Sequence, residues 1–275
     1  PPINTVFAAR SYNAFSPRLS VVHAIGSHVS WSASIYRAFR APTLNELYRS
    51  FRAGTVTTDA NPDLRAERLT GGETGVDVTG FQRRLEVRGI FFFNEVIDPV
   101  TNVPCPTPVP LLTCQLAPTG TTQQRQNLGR TTAPGFDLNG VVNITHHLQL
   151  IGGYEYVDAK IDSAPGLGLA GLWVAQVPHS VVTFQARYDD PEHIVFSVDG
   201  RMVGVQFDDA KNAFPMGRFF VMDAMASRDV WGGAEIFGAV ENLTNEEYLI
   251  ASQGGQETGL PIAARVGFRF NFPKR

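Results

Sequence analysis

The stretch His28-Val29-Ser30-Trp31-Ser32-Ala33-Ser34-Ile35-Tyr36-Arg37-Ala38-Phe39 decides how the rest of the chain is read. Val29, Trp31, Ala33, Ile35 and Phe39 share one parity, and His28, Ser30, Ser32, Ser34 and Tyr36 share the other. Successive side chains of an extended strand point to opposite faces, so this segment is a strand with one apolar and one polar side. The pattern returns along the chain. Leu85, Val87, Phe91 and Phe93 oppose Glu86, Arg88 and Asn94, and Leu138, Val142 and Ile144 oppose Asn139 and Asn143. Val182, Phe184, Ala186 and Tyr188 oppose Thr183, Gln185 and Arg187, and Ile194, Phe196, Val198 and Met202 oppose Ser197, Asp199 and Arg201. The last instance sets Ile262, Ala264, Val266, Phe268, Phe270 and Phe272 against Arg265, Arg269 and Asn271.

Period two predicts strands over 16–25, 28–39, 68–79, 83–94, 134–144, 147–158, 178–188, 193–204, 218–229, 234–245 and 261–272. The connections between them alternate strictly in length. Short ones fall near Gly26-Ser27, Gly80-Phe81-Gln82, Thr145-His146-His147, Asp189-Asp190-Pro191 and Trp231-Gly232-Gly233. Long ones cover 40–66, 95–126, 160–176, 206–217 and 247–259. A soluble β-sandwich also alternates apolar and polar residues, but nothing requires all its long loops to lie at one end. Outer-membrane barrels have that asymmetry, with short periplasmic turns and long extracellular loops. The fold class expected is therefore all-β, an antiparallel transmembrane β-barrel. Single-chain bacterial barrels have even strand numbers, so an odd set of eleven points to further strands upstream; the opening Pro1-Pro2-Ile3 agrees with a chain that starts inside a longer protein.

Composition removes other classes. The net charge is −3 over 275 residues, with Lys and Arg scattered rather than clustered, so the basic footprint of a nucleic-acid binder is missing. No apolar run reaches the roughly 18 residues that a membrane-spanning helix needs. A barrel passes this test because only alternate residues face lipid. Neither HExxH, CxxC nor a nucleophile elbow is present, and no cofactor or metal site is expected. The histidines His23, His28, His146, His147, His179 and His193 are read as solvated or interfacial residues near one membrane side. Asp199 and Asp223 are expected to be neutralised by Arg201 and Arg228 as lumen lining. Two other readings stay open: a barrel enzyme, and a soluble or surface β-protein that binds carbohydrate.

Four segments resemble TonB-dependent outer-membrane receptors, and the resemblance spans essentially the whole chain. They are Phe39-Arg40-Ala41-Pro42-Thr43-Leu44-Asn45-Glu46-Leu47-Tyr48, Asn61-Pro62-Asp63-Leu64-Arg65-Ala66-Glu67, Glu241-Asn242-Leu243-Thr244-Asn245-Glu246-Glu247-Tyr248, and Gly259-Leu260-Pro261 before the last strand. Ala66 replaces the family's usual Pro, Ile262 stands where Arg commonly follows Gly-Leu-Pro, and Pro273-Lys274-Arg275 extend beyond the terminal aromatic Phe272. The resemblance implies that residues 1–275 are the C-terminal half of a 22-stranded barrel with a plugged lumen, the plug domain and N-terminal strands lying outside this chain. It implies an uptake receptor for a scarce nutrient such as a ferric siderophore or another metal chelate, and no catalysis. The partners implied are outer-membrane lipid, the plug domain and missing strands, the TonB protein reached through the N-terminal part, and a small-molecule ligand.

On that reading Cys105 and Cys114 bracket a Pro-rich stretch of an extracellular loop, where an oxidising exterior favours a disulfide. Arg40, Tyr48, Arg49 and Arg52, with Phe51 and Arg65, are candidates to line a vestibule for an anionic ligand, because the guanidinium fork binds carboxylates and catecholates directionally. Arg40 sits in a family motif and is equally read as architectural. Trp173, Phe207 and Phe214 are aromatic candidates either for ligand contact or for an interfacial girdle.

Overall fold

The computed structural model describes residues 9–105, 121–190, 192–231 and 233–270. Its wall is one twisted antiparallel sheet whose path runs in chain order through eleven strands. They are β1 (Arg18–Ala24), β2 (Val29–Arg40), β3 (Glu67–Gly80), β4 (Leu85–Ile97), β5 (Arg130–Asn143), β6 (Leu148–Val157), β7 (Ser180–Asp190), β8 (Ile194–Val203), β9 (Phe219–Trp231), β10 (Ala234–Glu241) and β11 (Ala263–Phe270). Each pairs with its predecessor, so the sheet is a simple up-and-down meander. A twelfth strand, Lys160–Ser163, pairs with the upper part of β5 beyond the end of β6. Among the described residues no helix is long and apolar enough to cross a membrane.

The register aligns residues of one character into continuous rows. One row runs Trp31, Val76, Gly89, Leu138, Tyr154, Val182, Met202, Phe220. The row one residue away runs Ser30, Asp77, Arg88, Asn139, Gly153, Thr183, Arg201, Val221. Leu19, Ile35, Phe91, Phe93, Phe196, Val266 and Phe268 extend the first set, and all are large apolar side chains left exposed. A sandwich would cover this face with a second sheet; here nothing among the described residues covers it. The apolar band therefore has the character of a lipid-facing surface, and the polar rows that of a lumen.

Lumenal packing explains one glycine directly. The Tyr36 ring crosses over Gly71 on the neighbouring strand so that its hydroxyl donates to Asn94 Oδ1 at 3.0 Å. A Cβ at Gly71 would lie 2.2 Å from that oxygen and 2.6 Å from the ring. Gly71→Val is expected to displace Tyr36 and lower stability by about 1–3 kcal/mol, checked by urea unfolding in detergent micelles against Gly72→Ala. At Gly72 the nearest atoms to an added Cβ lie at 3.4 and 3.6 Å, so that variant should stay close to wild type.

The described parts of the long connections gather at one end, where they fold on each other. Phe51–Ala53, Val56–Asp59, Thr121–Asn127 and Val100–Pro104 form a four-stranded sheet from the first two long loops. Val56–Asp59 and Thr121–Asn127 pair in parallel. Two short hairpins, Gln206–Phe207 with Pro215–Met216 and Leu249–Ala251 with Glu257–Thr258, complete the roof.

Candidate functional site

The roof is built from the family-like segments. Thr43 caps the short helix α1 (Leu44–Tyr48) in a capping box with Glu46. Arg40, at the end of β2, forks between two carboxylates: Nη1 reaches Glu46 at 3.0 Å and Nη2 reaches Glu67 at 2.6 Å. Burial opposes ionisation of Glu46, but hydrogen bonds from Thr43 and Arg40 outweigh it and hold its carboxyl below the ordinary range. Asn61 N–H donates to Glu46 O and Asn61 Nδ2 to Arg125 O, so the segment Asn61–Glu67 is docked on the helix and the second loop at once.

Inside this roof lies a polar cavity of about 640 Å³. The first loop contributes Asn45, Glu46, Phe51 and Thr58, the second Asn102, Gln123 and Arg125, the third Gln176, the fourth Asp208 and Asp209, and the fifth Gln253 and Glu257. Arg125 donates to the carbonyls of Asn45 and Arg49, and its guanidinium lies 5.2 Å from the Phe51 ring centre. Gln123 Nε2 donates to Thr58 Oγ1 at 3.0 Å and its Oε1 accepts from Gln253 Nε2 at 3.2 Å. Thr55 Oγ1 donates to Gly254 O at 2.9 Å, which ties the first loop to the fifth. A second cavity, of about 620 Å³, lies on the lumenal wall beside Gln185, Asp199, Arg201, Asp223, Glu241 and Tyr248.

Asp208 is the hub of the fourth and fifth loops. One oxygen accepts from Gln176 Nε2 at 2.9 Å, the other from the backbone N–H groups of Ser252 and Gln253 at 2.7 Å each. Burial raises its pKa, but these donors stabilise the carboxylate more and the net direction is downward. A carboxyl whose folded pKa lies below its unfolded value near 4 contributes stability above that value and loses it as pH falls through the folded pKa. Amide protection at Ser252 and Gln253 is therefore expected to be constant from neutral pH to about pH 5 and to fall only in stronger acid. Asp208→Asn should lose much of that protection already at neutral pH, as read by hydrogen exchange.

The structure separates the residues that the sequence singled out. Arg40 is held by Glu46 and Glu67 and is architectural. Tyr48 is half-buried at the end of α1; Arg49 and Arg52 are exposed, and Arg52 Nε donates to Gly54 O. Arg65 pairs with Asp98 at 2.5 Å. Trp173 is half-buried between Lys160, 4.6 Å from its ring centre, and His179, whose ring centre is 3.7 Å away. Phe207 lies one loop away and accepts from Gln176 N–H through its carbonyl. Of the candidates from the sequence, Phe51 lines the roof cavity; Arg40, Tyr48, Arg49, Arg52, Trp173 and Phe207 are not among its lining residues. The lining residues Gln123, Arg125, Gln176, Asp208 and Gln253 carry no motif, and only the three-dimensional pairing of the loops brings them together.

Three expectations are corrected. His179 stands at the long-loop end, immediately before β7, and stacks with Trp173, whereas the other histidines lie at or beside the short turns. Asp199 is not paired with Arg201; it accepts from Gln185 Nε2 and from Ser197 Oγ at 3.1 Å, while Arg201 lies over the Phe219 ring. Asp223 accepts from Asn242 N–H at 2.7 Å, and Arg228, an odd number of residues further along β9, projects from the opposite face. Cys105 takes part in a disulfide; Cys114, the partner the sequence offers, and the Pro-rich stretch between them lie outside the described residues. So do Phe272 and Pro273-Lys274-Arg275. Among the described residues no group of three His, Cys, Asp or Glu is arranged to hold a metal ion.

Comparison with known proteins follows the same lines as the geometry. The family described as TonB dependent receptor-like, beta-barrel matches residues 2–243. The ferrichrome outer membrane transporter/phage receptor of Escherichia coli strain K12 is 26% identical over 129 residues, 44% of this chain and 17% of the relative. Among solved structures, the siderophore receptor PiuA from Acinetobacter baumannii superposes with a TM-score of 0.68 at 17% identity, covering 92% of this chain and 35% of PiuA. The copper transporter OprC gives 0.71 at 15% identity, covering 94% and 39%. The chain thus spans well under half the length of the proteins it resembles.

Proposed function

Since the chain belongs to the TonB-dependent receptor-like β-barrel family, whose members lie in the bacterial outer membrane, we propose that it is the C-terminal half of a 22-stranded barrel that takes up a scarce nutrient. The cargo proposed is a ferric siderophore or a similar metal chelate, bound under the extracellular roof and passed inward with energy delivered through TonB. The plug domain and the remaining strands would come from the rest of the protein. One observation carries this reading: a wall apolar outside and polar inside, roofed at one end by the described parts of its five long loops around a polar cavity. Among the described residues the two outer strands of the sheet, β1 and β11, have a partner on one side only, a state that lipid does not tolerate, and further strands would satisfy both. The relatives named above are transporters and receptors, and binding and passage without catalysis is the function proposed.

The proposed ligand contacts are the amide-lined cavity, with Arg49 and Arg52 at its exposed rim. Uptake of radiolabelled ferric siderophores is the test, in iron-limited cells whose only receptor is the full-length protein. Energy-dependent accumulation of at least one chelate, abolished by a protonophore, is the expected result. Failure to bind any chelate in a panel of hydroxamates, catecholates and copper complexes would overturn the cargo assignment.

A further inference from the structure

The roof cavity is unequal in charge. Among the described residues four carboxylates line it, those of Glu46, Asp208, Asp209 and Glu257, against one guanidinium, that of Arg125. Arg40 neutralises Glu46. Among the described residues none of the other three has a cationic side chain within ion-pair distance. Arg49, Arg52 and Lys211 are exposed and are not among the lining residues, and residues 106–120 of the second loop include no charged side chain.

Neutral donors hold two of these carboxylates in place. Asp209 is 4% exposed and accepts from the backbone N–H groups of Lys211, Ala213 and Phe214 at 3.0, 2.8 and 2.9 Å. Asp208 accepts from Gln176 and from the Ser252 and Gln253 N–H groups. Such donors satisfy lone pairs but bring no positive charge. The hairpin register sets Glu257 opposite Ala251, the residue before Ser252, so the three carboxylates belong to the linked fourth and fifth loops. Beside them the cavity offers the amides of Asn45, Asn102, Gln123, Gln176 and Gln253, and an amide both donates and accepts hydrogen bonds. A concave site lined by one sign of charge concentrates ligands of the opposite sign.

That lining discriminates between chelate chemistries. Each catecholate brings two negative charges to iron(III), so a ferric tricatecholate stays strongly anionic. Each hydroxamate brings one, so a ferric trihydroxamate is neutral, and a pendant ammonium makes it cationic. We infer that the roof cavity selects its cargo by charge: it takes neutral or cationic hydroxamate chelates, with an ammonium group held by Asp208, Asp209 and Glu257, and rejects anionic tricatecholates. The inference rests on the reading of this cavity as the cargo site. It reverses the anionic ligand suggested by the first-loop arginines, because those side chains do not line the cavity.

The test measures binding by the full-length protein in micelles at neutral pH. The probes are ferric desferrioxamine B, which carries one ammonium, its neutral N-acetyl form and its anionic N-succinyl form, with ferrichrome, ferric enterobactin and a copper chelate beside them. Affinity is expected to fall about tenfold at each step from cationic to neutral to anionic, with ferric enterobactin unbound. E257Q, at an exposed position, weakens the cationic form about tenfold and leaves the neutral form within about twofold, a difference that general damage to the fold does not produce. Equal affinity across the three desferrioxamine forms overturns charge selection and leaves the uptake reading standing. So does tighter binding of ferric enterobactin than of every hydroxamate, or binding of another chelate with none of the hydroxamates. If no chelate binds at all, the uptake reading fails and the inference with it.

Discussion

Asn242→Ala lowers the stability of the folded protein by about 2–4 kcal/mol, the largest loss expected from one small substitution outside the membrane band. Asn242 is 3% exposed and adopts a φ of 48°, a left-handed conformation that Asn tolerates better than Ala. Its Nδ2 donates to Glu246 O and Leu260 O at 2.9 Å each, and its Oδ1 accepts from Glu246 N–H at 2.8 Å. Removing the side chain leaves three backbone groups without their partner and adds backbone strain. The same residue ends β10 and starts the fifth long loop, whose Tyr248 ring covers Gly259 and stacks on Phe219 with centres 4.2 Å apart. Asn242→Asp keeps the acceptor but sets a buried carboxylate oxygen against the Glu246 and Leu260 carbonyls, which it cannot hydrogen-bond, so a loss at least as large as that of Asn242→Ala is expected. Urea unfolding of the full-length protein in micelles measures both variants.

Leu138→Arg is expected to cost about 2–4 kcal/mol in a bilayer, because a cation at the midplane of a lipid-facing strand has no water or partner to reach. Leu138 stands in the outward row between Gly89 and Tyr154 and is 39% exposed in the isolated chain. Asn139→Ala, one residue along on the lumenal side, should change stability by about 0.5 kcal/mol or less. Recovery of each variant in the outer-membrane fraction, followed by unfolding in lipid vesicles, reads the difference. Equal tolerance at the two positions would contradict the assignment of faces.

The wall was legible because one physical constraint, lipid outside and water inside, is written into every strand with period two. All eleven expected strands exist, with shifts that have local causes. The strand expected over 134–144 begins at Arg130, since its first residues pair with β4 on one side and with Lys160–Ser163 on the other. The strand expected over 234–245 stops at Glu241, because Asn242 turns the backbone into the left-handed region. The roof was not legible. Thr121-Thr122-Gln123-Gln124-Arg125-Gln126-Asn127 has no apolar face to alternate, and Gln123 and Gln124 are nonetheless 6% and 1% exposed. Their burial depends on hydrogen bonds to loops more than sixty residues away, such as Gln123 to Thr58 and Gln124 to Ala60, and a local pattern holds no trace of such partners. The arginines of the first loop stood out as chemistry, whereas the cavity is built mainly from amides and from carboxylates satisfied by backbone donors.

The central claim is that alternate residues of each wall strand face lipid and lumen. Its most direct test is a bimane fluorophore attached to single cysteines at positions 74 to 79 of the full-length protein, reconstituted in vesicles containing brominated lipid. Quenching by lipid at 74, 76 and 78 with little at 75, 77 and 79 is the predicted result, following the outward placement of Thr74, Val76 and Val78. Uniform quenching, or none at any of the six, would contradict it.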